Sequence, residues 1–251
     1  MRASRGYFFS CQPRKAAARI SALPAPRLSL RGKARPSPAR RPETEPFRVV
    51  MVAIAGGSGA GKSWLARQLK TRLGTAAGVV ALDDFYRDLR DLPRRARAAR
   101  NFDVPEAIDW PLFEAQLAAL AAGEPTQLPR YDFVTHTRRP RGRSWRPRRV
   151  VLIEGLWPWW RPELRRYYTL KIYKVGSDTL RLARRLDRDT RRRGRHPDSV
   201  RTQWRRQVQP MHARFVHPQA QSADVTLPPE TPAWQIDRLV RRIRELAGLE
   251  P

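Results

Sequence analysis

From Phe47 onward, apolar and polar positions follow a strand-then-helix rhythm. Val49-Val50-Met51-Val52-Ala53-Ile54-Ala55 is a continuous apolar run, the pattern of a parallel strand buried on both faces. Trp64-Leu65-Ala66-Arg67-Gln68-Leu69 then has helical spacing and ends near Gly74. Gly78-Val79-Val80-Ala81-Leu82 predicts a second strand that runs into Asp83-Asp84. Asp109 has the chemistry of an N-cap for a helix through Leu112, Leu117 and Leu120, closed by Gly123. Val150-Val151-Leu152-Ile153 is another buried strand, ending at Glu154-Gly155, and Leu170-Lys171-Ile172-Tyr173 reads as a fourth. Ser177 or Asp178 starts an Arg-rich helix through Leu180, Leu182 and Leu186. Val225-Thr226-Leu227 is a short last strand. Thr231 reads as the cap of a final helix with Pro232 in its first turn, an apolar stripe of Ile236, Leu239, Val240, Ile243 and Leu246, and Gly248 as its stop. Strands alternating with helices imply an α/β fold with a parallel sheet covered on both faces. In such folds ligands sit at the carboxyl ends of the strands. Gly56, Asp83 and Glu154 all fall at such ends.

Composition changes this picture at the N-terminus. Residues 1–45 are rich in Arg, Pro, Ala and Ser without periodicity, and read as a disordered basic extension preceding one domain at 46–251. The segment shares an Arg-rich, acid-free composition with organelle transit peptides, but Pro24, Pro26, Pro36 and Pro38 would break an amphipathic helix. A tail, or an over-extended start of the reading frame, fits better. The single cysteine, Cys11, allows no intrachain disulfide and fits a reducing, cytoplasmic setting. No apolar run reaches the roughly 20 residues of a membrane span. His136, His196, His212 and His217 lack zinc-type spacing.

The formal net charge of +28 raises a nucleic-acid hypothesis. Residues 1–42 hold eleven Lys/Arg and no Asp/Glu, so removing them leaves +17. Only six of the 51 basic residues are lysines, and the arginines are spread along the chain. This reads as a solvated, phosphate-friendly surface, with no specific nucleic-acid partner expected.

The sharpest chemistry lies after the first strand. Gly56-Gly57-Ser58-Gly59-Ala60-Gly61-Lys62-Ser63 is a P-loop, G-x-x-x-x-G-K-S, in its required strand–loop–helix setting. Glycines let successive N–H groups point at phosphate oxygens, aided by the helix N-terminus. Lys62 can reach the β- and γ-phosphates, and the Ser63 hydroxyl can ligate Mg²⁺. Phosphoryl transfer also needs a metal-holding carboxylate, a base for the incoming hydroxyl, and positive charge on the transferred group. Glu154 suits the first role. Asp83, otherwise an ordinary turn residue, is placed for the second. The run from Arg181 to Arg195 suits the third, because Arg181, Arg185 and Arg188 share a helix face and Gly194 lets Arg195 fold back.

Further motifs, in order, carry a family resemblance over about residues 48–228. The chain resembles the uridine/cytidine kinases of the uridine kinase and phosphoribulokinase group of P-loop kinases. Asp83-Asp84-Phe85-Tyr86 is similar to the family's D-S-F-Y, Asn101-Phe102-Asp103-Val104-Pro105-Glu106-Ala107-Ile108-Asp109 to its N-F-D-x-P-x-A-x-D, and Pro129-Arg130-Tyr131-Asp132-Phe133-Val134-Thr135-His136-Thr137-Arg138 to its P-x-Y-D-F-x-x-H-x-R. Ala223-Asp224-Val225 is similar to its A-D-x-I-x-P strand. The resemblance implies a P-loop kinase fold with an Arg-rich lid helix and a small β-hairpin in the acceptor site. It implies ATP, or GTP in its place, as phosphoryl donor with Mg²⁺, and uridine and cytidine as acceptors yielding UMP and CMP. It implies Asp83 as the base on the ribose 5′-hydroxyl, Tyr86 against the nucleoside, Asp103 on the ribose hydroxyls, and Tyr131, Phe133 and His136 around the base. Glu154 falls on the metal-associated glutamate, Arg185, Arg188, Arg193 and Arg195 on the lid arginines, and Gln203 on a base-contacting glutamine. Arg188 is also expected near the substrate. A homo-oligomer is implied as well.

Three features depart from the family's pattern. Asp84 stands where many relatives have Ser, Lys174-Val175-Gly176-Ser177 replaces a more acidic stretch, and Trp157-Pro158-Trp159-Trp160 is unusually aromatic, either a subunit contact or simple packing. The rival readings are a related P-loop kinase for another small alcohol or nucleoside and, from another class, a basic NTP-dependent nucleic-acid-binding protein.

Overall fold

The structure is a computed structural model, and it describes residues 48–250. The extension at 1–45, with Cys11, lies outside the described residues. In chain order the elements are β1 (Val50–Ala55), α1 (Lys62–Leu73), β2 (Ala77–Ala81), α2 (Arg94–Ala98), α3 (Trp110–Ala121), β3 (Thr126–Leu128), β4 (Tyr131–Asp132), β5 (Thr137–Arg138), β6 (Arg143–Trp145), β7 (Val150–Gly155), β8 (Leu170–Lys174), α4 (Asp178–Arg193), α5 (Pro197–Gln203), α6 (Gln209–Met211), β9 (Val225–Leu227) and α7 (Ala233–Leu246). Helical turns bridge α5 to α6 and continue to Ser222, two of them wide π-type turns at Trp204–Val208 and His212–Val216.

Five strands form one parallel sheet in the order β2-β7-β1-β8-β9. The side chains of β1 alternate between two cores, as a two-residue period requires. Val50, Val52 and Ile54 pack with Leu65, Leu69, Ile236 and Ile243, so α1 and α7 cover that face. Met51, Ala53 and Ala55 pack with Phe85, Phe113, Leu117 and Trp157, so α3 and its neighbours cover the other. Burial on both faces is why the strands read as unbroken apolar runs. Two antiparallel pairs, β3 with β6 and β4 with β5, stand apart from the main sheet.

The caps confirm two sequence expectations and correct one. Asp109 accepts a bond from Leu112 N, and Ser177 accepts one from Leu180 N. Thr231 does not cap α7. The helix starts one turn position later with Pro232 as N-cap and no side-chain cap bond, and the Thr231 hydroxyl donates to Pro228 O at 3.0 Å.

The aromatic run resolves as packing. Trp157 and Trp159 have no exposed surface, so neither offers a face to a second subunit. Trp160 stacks on Trp110 with centroids 6.1 Å apart. Replacing Trp157 with Ala is expected to cost about 3–5 kcal/mol of stability, the usual range for deleting a buried large aromatic. Denaturant unfolding monitored by circular dichroism would measure it.

Candidate active site

The carboxyl edge of the sheet gathers the chemistry. β1 runs into the P-loop, β2 into the short turn holding Asp83, and β7 ends at Glu154. The register pairs Ile54 and Ala81 with Glu154 on its two sides, which brings the P-loop and Asp83 to one carboxylate. A cleft of about 1020 Å³ opens there. Ser58, Gly59, Gly61, Lys62, Ser63, Asp83, Tyr86, Asp103, Tyr131, Phe133, His136, Glu154, Arg185, Arg188, Arg193, Arg195 and Gln203 all line it. Three sequence-expected residues do not: Gly56, Gly57 and Ala60 form the buried back of the loop.

That back is where α4 docks. A β-carbon at Gly57 would lie 2.4 Å from the Arg181 guanidinium, and one at Gly59 would lie 2.3 Å from the Arg181 carbonyl oxygen. Arg181 Nε donates to Ser58 O at 3.2 Å, and its guanidinium lies over Trp204. Arg181 is therefore consumed in fastening α4 to the loop and is not a free phosphate ligand. Arg185 reaches further, donating to the Ser58 hydroxyl at 3.0 Å and to Gln203 Oε1 at 2.9 Å. The buried stripe of α4 is thus charged (Arg181, Arg185, Asp189), while Leu182 and Leu186 are only half-buried.

Lys62 Nζ bonds Gly57 O at 3.1 Å, folded over its own loop. Burial lowers its pKa, while Glu154 and Asp83 oppose the shift. Ser63 Oγ donates to Glu154 Oε1 at 2.8 Å. Burial raises the Glu154 pKa, and Lys62 pulls it back. Ser63 and Glu154 offer two oxygens beside the loop, and the described residues hold no group of three or more His, Cys, Asp or Glu suited to a metal. That sparse donor set fits Mg²⁺, which keeps most of its shell as water and phosphate oxygens.

The opposite side is aromatic. The β4–β5 hairpin is held by Asp132, whose Oδ1 accepts from Val134 N and Thr135 N, and His136 closes it at φ 55°. His136 stacks on Phe102 at 4.7 Å, and Tyr131 meets Tyr86 and Phe133 edge-on. Tyr131 Oη and His136 Nδ1 are buried without a hydrogen-bond partner, which leaves polar capacity unspent in the cleft. Asp103 is buried 3.9 Å from Arg185, and burial raises its pKa. Asp84 also lines the cleft, and its Oδ1 accepts from Tyr131 N at 3.2 Å, so it anchors the hairpin. Gln203 Oε1 accepts from both Arg185 and Arg195 Nη1, the latter at 2.6 Å. Gly194 adopts φ 62° and Arg195 folds back as expected, with its N–H on Asp189 O.

Sequence reasoning assigned no role to Phe102 or Arg138. Arg138 donates to the carbonyls of Phe85 and Tyr86 and to Asp109, tying the hairpin to the Asp83 turn. Both residues stood inside quoted motifs, so the signal was there, but their role is tertiary. A second recess of about 730 Å³, lined by Gly61, Trp64, Arg184 and the 229–232 turn, adjoins the P-loop. Lys174 Nζ donates to the carbonyls of Pro228 and Pro229 and so fixes that turn. Among the described residues no helix is long and apolar enough to cross a membrane.

Comparison with known proteins agrees with this geometry. A uridine kinase of Deinococcus deserti is 41% identical over 78% of this chain and 96% of its own length. A uridine kinase of Chloroflexus aggregans is 40% identical over 72% and 88% respectively. Among solved structures, a protein of Silicibacter sp. TM1040 named as a fructose transport system kinase superposes with a TM-score of 0.59 at 26% identity, covering 74% of this chain and 92% of that one. D-glycerate 3-kinase of Cryptococcus neoformans gives 0.50 at 20%, covering 67% and 79%, and shows the shared fold alone. The family model described as Phosphoribulokinase / Uridine kinase family matches residues 51–233. With its P-loop and five-stranded parallel sheet, this chain belongs to the phosphoribulokinase/uridine kinase family.

Proposed function

We propose that this chain transfers the γ-phosphoryl group of ATP to the 5′-hydroxyl of uridine and cytidine. The observation that carries the reading is one cleft with two unlike walls. One wall has Lys62, Ser63, Arg185 and Arg188, the other has Tyr86, Phe102, Tyr131, Phe133 and His136, and Arg193 lies over the Phe133 ring between them. Asp83 lies in the same cleft, close enough to influence Lys62 and Glu154 on one side and Tyr86 and Asp103 on the other.

The roles follow from the chemistry. Lys62, Arg185, Arg188, Arg193 and Arg195 place positive charge where a polyphosphate would lie. Ser63 and Glu154 would hold Mg²⁺, which when bound neutralises charge on the β- and γ-phosphates. Asp83 accepts the proton of the attacking hydroxyl. Asp103 receives the ribose hydroxyls, and Arg188 is positioned to serve both substrates. The recess beside Trp64 takes the donor base, which is adenine or guanine. Gln203 faces the cleft, but a contact from its Oε1 to the pyrimidine competes with the bonds from Arg185 and Arg195.

His136 gives a pH prediction. Burial lowers its pKa, and Arg193 and Arg195 add to the shift, so the imidazole is neutral throughout the neutral range. A neutral ring donates or accepts according to tautomer, which suits both uracil O4 and the cytosine amino group. Its protonation midpoint lies below the ordinary value of 6.5. The His136-dependent part of kcat/KM for the nucleoside is therefore flat through neutral pH and falls on acidification below that value. His136→Ala lowers kcat/KM for both nucleosides. Unchanged turnover by that variant contradicts the base-pocket assignment.

Two neighbours in fold are named for fructose and D-glycerate, so the fold does not choose the acceptor. The aromatic wall favours a planar base over a sugar or sugar acid. The test is an acceptor panel of uridine, cytidine, adenosine, fructose, D-glycerate and ribulose 5-phosphate with ATP and Mg²⁺. Phosphorylation of the two pyrimidine nucleosides above all others supports the reading. Preference for a non-nucleoside overturns it.

A further inference from the structure

Asp189 is a carboxylate with no exposed surface, in the last turn of α4. Nothing about the helix requires an acid there. The carboxyl end of a helix favours cations, and burying an anion is unfavourable unless it is paired. Capping is done by the backbone, since Asp189 O accepts the N–H groups of Gly194 and Arg195.

Four guanidiniums surround the carboxylate instead. Arg188 Nε lies 2.8 Å from Oδ1, Arg185 Nε 3.5 Å from Oδ2, Arg193 Nη1 3.5 Å from Oδ1, and Arg195 Nη1 3.6 Å from Oδ2. Only the Arg188 contact is a hydrogen bond, and Oδ2 has none. Burial disfavours the charged carboxyl, yet the Arg188 hydrogen bond and the neighbouring guanidiniums hold its pKa below the usual range. One anion therefore gathers four cations that would otherwise repel one another. It does so by charge and position, leaving most of their N–H donors unspent. All four arginines line the cleft, Arg185 against the P-loop at Ser58 and Arg193 over the Phe133 ring where the two walls meet.

We propose that Asp189 is the positioning residue of the arginine cluster, holding Arg185, Arg188, Arg193 and Arg195 together as a preformed receptor for a polyphosphate chain. This rests on the donor-side reading of the cleft. The opposite sign is physically available, because a carboxylate also competes with phosphate for the same cations. Preorganisation wins if ordering four long side chains before binding outweighs that competition.

The experiment is calorimetric titration of the full chain with inorganic tripolyphosphate, together with KM values for donor and acceptor. Asp189→Asn keeps the shape and the backbone cap but removes the charge. It is expected to weaken tripolyphosphate binding and raise the donor KM by about tenfold or more, the scale of one lost charge-assisted contact. The acceptor KM rises by a smaller factor, because only Arg188 of the four is assigned to both substrates, and the melting temperature falls as four guanidiniums lose their shared counter-ion. Unchanged or tighter tripolyphosphate binding overturns the proposal. So does an equal weakening of tripolyphosphate, donor and acceptor, which marks a merely structural role. If Asp189→Asn does not fold, Asp189→Glu decides: the charge is kept but displaced, so weakened tripolyphosphate binding supports positioning and wild-type binding overturns it. A wild-type chain that binds no tripolyphosphate defeats the donor-side reading itself, which is a separate result.

Discussion

Asp83→Asn is expected to lower kcat for uridine phosphorylation by about 10²–10⁴-fold, the usual contribution of a positioned general base. Asparagine keeps the shape of the side chain but cannot accept the hydroxyl proton. ATP affinity should not fall, because Asp83 is not part of the cradle formed by the P-loop and α4. Its removal also relieves negative charge beside Glu154 and Asp103, whose pKa values it helps to raise. Rapid-quench measurement of product and calorimetric titration with ATP separate the two effects. Asp84 is an alternative base in the same cleft, with its Oδ1 held by Tyr131 N. A loss in kcat of less than tenfold would mean that the proton leaves by another route.

Gly59→Ala is expected to abolish ATP binding at millimolar concentration and to destabilise the chain by about 1–3 kcal/mol, the range for forced overpacking. Gly59 has φ 81°, a left-handed conformation that disfavours a β-carbon. The larger effect is collision. The new β-carbon would lie 2.3 Å from Arg181 O and 2.9 Å from Arg181 Cα. Those are backbone atoms of α4, so the helix itself must retreat, taking Arg185 and Arg188 with it. Gly74→Ala separates strain from collision, because φ is 60° there but nothing lies within 4 Å. That control should lose about 1–3 kcal/mol, the conformational penalty alone for φ 60° with ψ −136°, and retain ATP binding. Calorimetry and thermal unfolding on the two variants provide the comparison.

Much of the scaffold was legible because both faces of the sheet are buried. The four long strands read as apolar runs, and their ends agree with the structure to within a residue or two. Asp109 was readable as a cap, and Ser177 as one of two candidate starts of α4, because their side chains bond locally. Thr231 failed because its hydroxyl turns back to Pro228. The short β3 and β6 strands and helix α2 carry too few residues for a period to emerge. In α4 the pattern misleads in a useful way. Leucines would ordinarily mark the buried face, yet the charged stripe is buried because its partners are the P-loop backbone and the cleft.

The candidate site was legible as a set of residues and much less as an arrangement. Motif order brought the P-loop, Asp83, Asp103, the hairpin aromatics and the arginines to one place, and the cleft contains them. Pairwise commitments are tertiary and leave no local signal. Examples are Arg181 spent on Ser58, Gln203 engaged by two arginines, and Arg138 tying the hairpin to the Asp83 turn.

The central claim is a donor wall and a pyrimidine wall meeting at Asp83. Incubating the purified chain with γ-labelled ATP, Mg²⁺ and uridine, and locating the label by phosphorus NMR and mass spectrometry, tests it most directly. The account predicts label on the 5′-oxygen of UMP, with that product lost in Asp83→Asn. Absence of labelled UMP while another alcohol is phosphorylated would contradict it.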